Sequence, residues 1–308
     1  MHTILGAGGP IANALTAELI KSNQQIRLVS RRPITPANAN VKWHKADLTN
    51  AAEVMQATQG STIIYLCAGL VYNKTIWQQQ WPVIMQNVIN AAKENNARLI
   101  FFDNVYMYGL VKGPMLETEI YNPASVKGEV RAKISAQLMD EVKAGNLHAS
   151  IARAADFYGT EGTNSVLDSM VLSKFAKGEK AMWLGKPDTL HSFTYVPDAG
   201  KAMYLLGQRP DADNQIWHLP TAPAITGKQI MEIAAATFNT KPRHIAVNKL
   251  MLQVIGLFNK PVKDSVEMYY QFNHDYVFNS DKFEKAFNVK PTTYAQGIQN
   301  LAQTLFKA

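Results

Sequence analysis

An apolar run that breaks into glycines and reopens as a helix can hold phosphate, and this chain begins with one, Ile4-Leu5-Gly6-Ala7-Gly8-Gly9-Pro10-Ile11-Ala12. Gly6 permits a tight turn, Gly8 or Gly9 lets backbone approach a pyrophosphate, and small Ala12 lets the helix pack near the strand. The helix N-terminus adds free N–H groups and a partial positive charge. The next apolar run ends Val29-Ser30-Arg31-Arg32-Pro33. An NAD site usually carries an acidic residue there, facing the ribose hydroxyls. Two guanidinium groups and a hydroxyl suit a 2′-phosphate instead, because arginine donates to phosphate in a fork. The expected cofactor is NADP, with NAD the weaker choice. Asp47, with Leu48 after it, could bond an adenine amino group or cap the helix that follows. The fourth run ends Cys67-Ala68-Gly69, small residues that leave room for a cofactor.

The elements that must position these groups alternate. Residues 3–5, 26–30, 41–44, 62–67, 99–103 and 149–154 read as strands, and 11–21, 51–58, 82–94 and 126–142 as helices. Strand-helix alternation at this pitch means βαβ units and a parallel sheet covered on both faces, with ligand along the edge where the strands end. The second half loses the rhythm. Residues 163–176, 198–206, 226–237, 247–258, 264–272 and 293–306 read as helices, and 182–184, 191–196 and 215–218 as extended. The fold class expected is α/β, a doubly wound parallel sheet with a smaller, mostly helical C-terminal cap. The division expected is a nucleotide-binding domain over 1–157, with 190–225 completing its sheet, and a cap over 158–189 and 226–308.

Composition narrows the classes. With 47% hydrophobic and 18% charged residues, a largely disordered chain is excluded. The longest apolar runs, 63–72 and 250–258, are about half a membrane span. A single cysteine, Cys67, allows no internal disulfide and reads as packing, and with no signal peptide in view a cytoplasmic location is expected. Seven scattered histidines offer no metal-ligand spacing, and no Gly-x-Ser-x-Gly elbow is present. The net charge of +7 comes from dispersed basic residues without an aromatic-basic platform. The partner expected is a small-molecule substrate, with no nucleic acid and no membrane; a homodimer is left open.

Several spaced segments resemble the extended short-chain dehydrogenase/reductase superfamily of nucleotide-sugar epimerases and dehydratases, over nearly the whole length. Besides the glycine turn, these are Ile151-Ala152-Arg153-Ala154-Ala155-Asp156-Phe157-Tyr158-Gly159, Phe193-Thr194-Tyr195-Val196-Pro197-Asp198, and the closing Tyr276-Val277-Phe278-Asn279-Ser280-Asp281-Lys282 with Val289-Lys290-Pro291. The resemblance implies a nicotinamide dinucleotide site that includes Ala154.

It also implies a catalytic Ser or Thr after strand five and a Tyr-x-x-x-Lys helix, and here the chain departs from the pattern. Asp103-Asn104-Val105-Tyr106-Met107-Tyr108-Gly109 puts Asn104 at the hydroxyl position. In Ser125-Val126-Lys127-Gly128-Glu129-Val130-Arg131, Lys127 stands where tyrosine belongs and Arg131 where lysine belongs. Four apart, the two cations share a helical face. A guanidinium beside Lys127 would disfavour its ammonium form and bring it toward acid/base use, as in isoflavone-reductase-like enzymes with lysine for tyrosine. The competing reading is a nucleotide-binding sensor similar to the nitrogen-regulator NmrA type, in which both groups merely hold the cofactor. The loop 110–123 is expected to cover substrate, and Tyr106, Tyr108, Tyr121, Tyr158, His191 and Thr194 are the candidates to touch it, Tyr106 and Tyr121 being the reserve proton donors.

Overall fold

The computed structural model describes residues 1–36, 38–159 and 165–304 of the chain. Its first half runs β1 (His2–Leu5), α1 (Pro10–Lys21), β2 (Ile26–Ser30), β3 (Val41–Lys45), α2 (Ala51–Thr58), β4 (Ile63–Leu66), α3 (Lys74–Glu94), β5 (Arg98–Asp103), α4 (Val126–Lys143) and β6 (Ala149–Arg153). There follow β7 (Asp156–Tyr158), α5 (Ser173–Ala176), β8 (Ala181–Leu184), β9 (Leu190–His191), β10 (Phe193–Tyr195), α6 (Val196–Gln208) and β11 (Ile216–His218). The chain closes with β12 (Ile225–Thr226), α7 (Gly227–Thr237), β13 (His244–Val247), α8 (Lys249–Phe258), α9 (Lys260–Ser265), α10 (Asp281–Phe287) and α11 (Tyr294–Thr304).

Seven strands form one parallel sheet in the order β11-β6-β5-β4-β1-β2-β3, a doubly wound Rossmann arrangement. Its apolar residues bury on both faces. Trp81, Ile84, Val88, Ile134 and Leu138 of α3 and α4 cover one side, and Ile11, Leu15, Ala199 and Met203 of α1 and α6 cover the other. Helices α1 and α6 meet so closely that a Cβ on Gly200 would lie 2.4 Å from that of Ala14. Parallel pairing brings every strand's C-terminal end to one edge, which sets the site.

Three local expectations change. Helix α3 starts at Lys74, two turns before Pro82: Asn73 caps it by accepting from Ile76 N at 3.0 Å, and buried Trp77 and Trp81 hold the turns ahead of the proline. Residues 264–272 are not one helix, because α9 ends at Ser265 and a 3₁₀ segment, Val266–Phe272, continues. The cap also carries strands the periodicity missed: β13 pairs in parallel with β8, and β12 pairs antiparallel with β9. The expected helices 163–176 and 293–306 extend partly outside the described residues, at 163–164 and 305–306.

Candidate functional site

The glycine turn forms as expected. Gly6 and Gly8 have φ of +86° and +92°, which side-chain-bearing residues rarely adopt. A Cβ on Gly6 would lie 2.3 Å from the Ala68 Cα, so the ends of β1 and β4 touch backbone to backbone. Gly9 is the N-cap of α1 and Pro10 its first residue, leaving the Ile11 and Ala12 N–H groups without intrahelical acceptors. A Cβ on Gly69 would meet nothing within 4 Å and one on Gly9 only the Gly6 carbonyl at 4.0 Å; the groove beside the turn is open. Such a cradle fits a dinucleotide pyrophosphate.

The other groups expected near the cofactor lie along the same edge. Arg31 and Arg32 are exposed just past β2, and the Ser30 hydroxyl donates to the Arg32 carbonyl at 2.6 Å while accepting from Trp43 Nε1 at 3.0 Å. Asp47 accepts from Thr49 N and Thr49 Oγ1, bonds that hold its carboxyl below the usual range. It does not cap α2; Asn50 does. The Leu48 carbonyl is fixed by Asn87 Nδ2 at 3.0 Å. Cys67 is buried, and burial pushes its thiol up to about 12, which suits packing rather than chemistry. Ala154 is buried, its N–H donating to the Asp103 carbonyl at 3.1 Å.

Helix α4 brings both replacement cations under this edge. Ser125 caps it, accepting from Gly128 N at 3.0 Å, and a Cβ on Gly128 would come within 2.6 Å of the Tyr106 carbonyl. Only glycine lets α4 start this close to the turn after β5. Asn104 accepts from Tyr106 N at 3.0 Å and so shapes that turn.

The repulsion expected between Lys127 and Arg131 is replaced by separate pairing. Lys127, with a side-chain exposure of 0%, donates to Glu267 Oε1 at 2.7 Å and to the Asp264 carbonyl, and lies 4.2 Å from the centre of the Tyr72 ring. Glu267 Oε2 accepts from Val126 N at 3.0 Å, so one carboxylate binds both the ammonium and the N-terminus of α4. Arg131 pairs with Asp103 at 3.3 Å and stacks 4.0 Å over Trp81. Asp103 also faces Arg153 and accepts from Ser135 Oγ at 2.9 Å. Burial raises its carboxyl, and the two guanidinium groups work against that rise.

Several tyrosines expected at the substrate turn out to be structural. Tyr108 and Tyr121 both accept from Arg153, and Tyr108 also bonds His218 at 2.8 Å, so both phenols are tied to the guanidinium of β6. Tyr158 is buried in the cap core, its hydroxyl directed at Gly297 of α11 rather than the cleft. Thr194 accepts from Ala155 N and bonds Thr221. His191, also buried, stacks on Phe272 with ring centres 4.8 Å apart and orients Asp156 through a 3.0 Å contact. The loop 110–123 is pinned to the closing segment through Met115 N and the Val277 carbonyl at 2.8 Å.

Tyr72 and Glu267, which touch Lys127, belong to a polar aromatic cluster the sequence reading did not assemble, with Tyr106, Asp156 and Tyr270. The Tyr72 and Tyr106 hydroxyls bond one another, and the buried Tyr270 hydroxyl has no hydrogen-bond partner among the described residues. Burial and the Asp156 charge raise all three phenols above their ordinary range, which makes them poor proton donors at neutral pH. Glu267 and Tyr270 lie on a 3₁₀ segment whose sequence carries no motif, whereas Tyr106 and Asp156 sat inside segments already singled out. Among the described residues no group of His, Cys, Asp or Glu could hold a metal ion, and no helix is long and apolar enough to cross a membrane.

The comparisons agree with this architecture. Residues 2–219 match the NAD dependent epimerase/dehydratase family, and the chain belongs to it. No curated protein matches by sequence. Among solved structures, the UDP-glucose 4-epimerase of Thermus thermophilus, complexed with NAD, superposes with a TM-score of 0.78 at 16% identity, over 99% of each chain. The UDP-N-acetylglucosamine 4-epimerase of Bacillus cereus gives 0.77 at 13%, covering 98% of this chain and 95% of that one. DesIV, the dTDP-glucose 4,6-dehydratase of Streptomyces venezuelae with NAD bound, gives 0.77 at 12%, covering 99% and 98%. At these identities the likeness is one of fold.

Proposed function

We propose that the protein is a nicotinamide-dinucleotide-dependent oxidoreductase of the extended short-chain type, NADP-preferring, acting on a small carbonyl, alcohol or enone. The observation that carries this reading is the open glycine cradle at the N-terminus of α1, in line with a buried, carboxylate-paired lysine where the family has its tyrosine. Gly6, Gly8, Gly9 and the Ile11 and Ala12 N–H groups would hold the pyrophosphate. Arg31 and Arg32 would take a 2′-phosphate, while the NAD in the Thermus and Streptomyces structures supports a dinucleotide of this class without deciding the phosphate. The nicotinamide, when bound, supplies the hydride chemistry. Lys127 Nζ holds a transferable proton that Glu267 balances in charge, and Tyr72, Tyr106 and Tyr270 form the wall that orients the substrate and excludes water.

One observation favours a second reading, a non-catalytic nucleotide sensor: Lys127 is fully enclosed and ties α4 to the cap. Screening with NADPH against aldehydes, ketones, enones and nucleotide sugars separates the two. Turnover of the first three supports the oxidoreductase, turnover of nucleotide sugars alone points to an epimerase or dehydratase, and binding without turnover points to the sensor.

A further inference from the structure

Helix α8 is inside out. Leu252 and Gly256 are its buried residues, while Leu250, Met251, Val254, Ile255, Leu257 and Phe258 face solvent. Leu257 is 75% and Phe258 89% exposed. Ile245 of β13, just ahead of the helix in sequence, is exposed as well. A monomer that buries its apolar residues elsewhere does not leave six on one helix without a partner for them.

The charge around this face selects the partner. Between Glu232 and Asp264 the chain carries no acidic residue and five basic ones, Lys241, Arg243, Lys249, Lys260 and Lys263, all of them exposed. At the C-terminal end of α8 apolar and basic groups meet: Leu257, Phe258, Lys260, Lys263 and Lys74 line a single open cavity of about 570 Å³. Among the described residues, the carboxyl-bearing ones on its wall are Asp264 and Glu267. Asp264 is buried, and Glu267 is already paired with Lys127.

We infer that α8 is an interfacial anchor that lays the protein on an anionic lipid bilayer. Leu250, Val254, Leu257 and Phe258 enter the boundary of headgroups and acyl chains, and the surrounding lysines and Arg243 sit among anionic headgroups. The nine-residue apolar run 250–258 is too short to span a membrane, but lying in the interface sets no such length requirement. A second copy of the chain would bring five cations against five, so the charge favours lipid over self-association.

The test is flotation of the full-length protein with vesicles of phosphatidylcholine alone and of an equimolar mixture with phosphatidylglycerol. Binding is expected only to the anionic vesicles, weakening as salt rises. Leu257→Ser with Phe258→Ser should weaken it by at least about a hundredfold. Lys260→Gln with Lys263→Gln should weaken it by about thirtyfold, a factor of roughly five per charge. Both pairs lie on the solvent side, so thermal unfolding should be unchanged. Failure of the native protein to float with anionic vesicles would overturn the inference, as would undiminished flotation of the serine variant. Sedimentation showing a dimer that the serine pair dissolves, with no vesicle binding, would assign the face to a second copy and overturn it equally.

Discussion

Two buried cations leave the same face of α4, four residues apart, and their surroundings differ in kind. Arg131 turns inward to the sheet, where Asp103, Arg153, Ser135 and three aromatic rings enclose it. Every one of those partners belongs to β5, β6, α3 or α4. Lys127 turns outward to Glu267 and Asp264, which belong to the cap. The first centre is sealed inside one packing unit and can only be stable or broken. The second bridges two units through a carboxylate that keeps 21% of its side-chain surface. The two cations of α4 thus differ in kind, one held within the sheet unit and one shared with the cap.

The largest effect should come from the sealed centre. Asp103→Ala leaves two guanidinium groups in the interior without their carboxylate and should cost about 3–5 kcal/mol, read by urea unfolding. A loss below about 1 kcal/mol would mean that water reaches the cluster, and the contrast between the centres would fall. Lys127→Met should show the opposite profile, keeping cofactor binding and most of the stability while turnover falls about 10²-fold. Should stability and turnover collapse together, Lys127 would be a second structural cation.

His218 extends the sealed network, with Nδ1 facing the Asn279 carbonyl and Nε2 facing Tyr108, which accepts from Arg153. Burial depresses its pKa to about 3. The folded value lies below the unfolded one, so the fold holds the neutral ring. That stability is fully present above about pH 6.5 and is lost as pH falls toward 3, by up to about 1.4 kcal/mol per pH unit. His2, depressed to about 4 by burial, adds loss of the same sign. His218→Gln should flatten the acid limb of the stability profile while leaving turnover at neutral pH unchanged. The smallest effect belongs to cations that neither seal nor bridge. Arg31→Ala with Arg32→Ala should erase an NADP preference of about tenfold, or 1.4 kcal/mol, by titration, leaving stability unchanged. Equal affinity of the native protein for NAD and NADP would remove these residues from the site.

The legible parts of the site were local. Gly6 and Gly8 announced themselves because a positive φ is a property of the residue and its neighbours. The strand-helix alternation of the first half could be read because each apolar run had to be buried on both faces of a parallel sheet. Helix α3 was misread at its start because Pro82 usually opens a helix, and only the burial of Trp77 and Trp81 against the core pays for the turns before it. The tyrosines at 108, 121 and 158 looked like a cleft wall because the sequence gives their neighbourhood but not the direction their hydroxyls point.

The sequence by itself determined the class of fold, the cradle at the N-terminus of α1, and that Lys127 and Arg131 share a helical face, since each follows from backbone geometry within a few residues. Tertiary structure decided what those two cations do. The carboxylate that holds Lys127 stands 140 residues further along the chain, in a 3₁₀ segment with no motif, and the one that holds Arg131 is shared with Arg153 across two strands. Ionic contacts act through space and fall off with distance rather than with chain separation. The partner of a buried charge therefore becomes known only when the cap has closed over it.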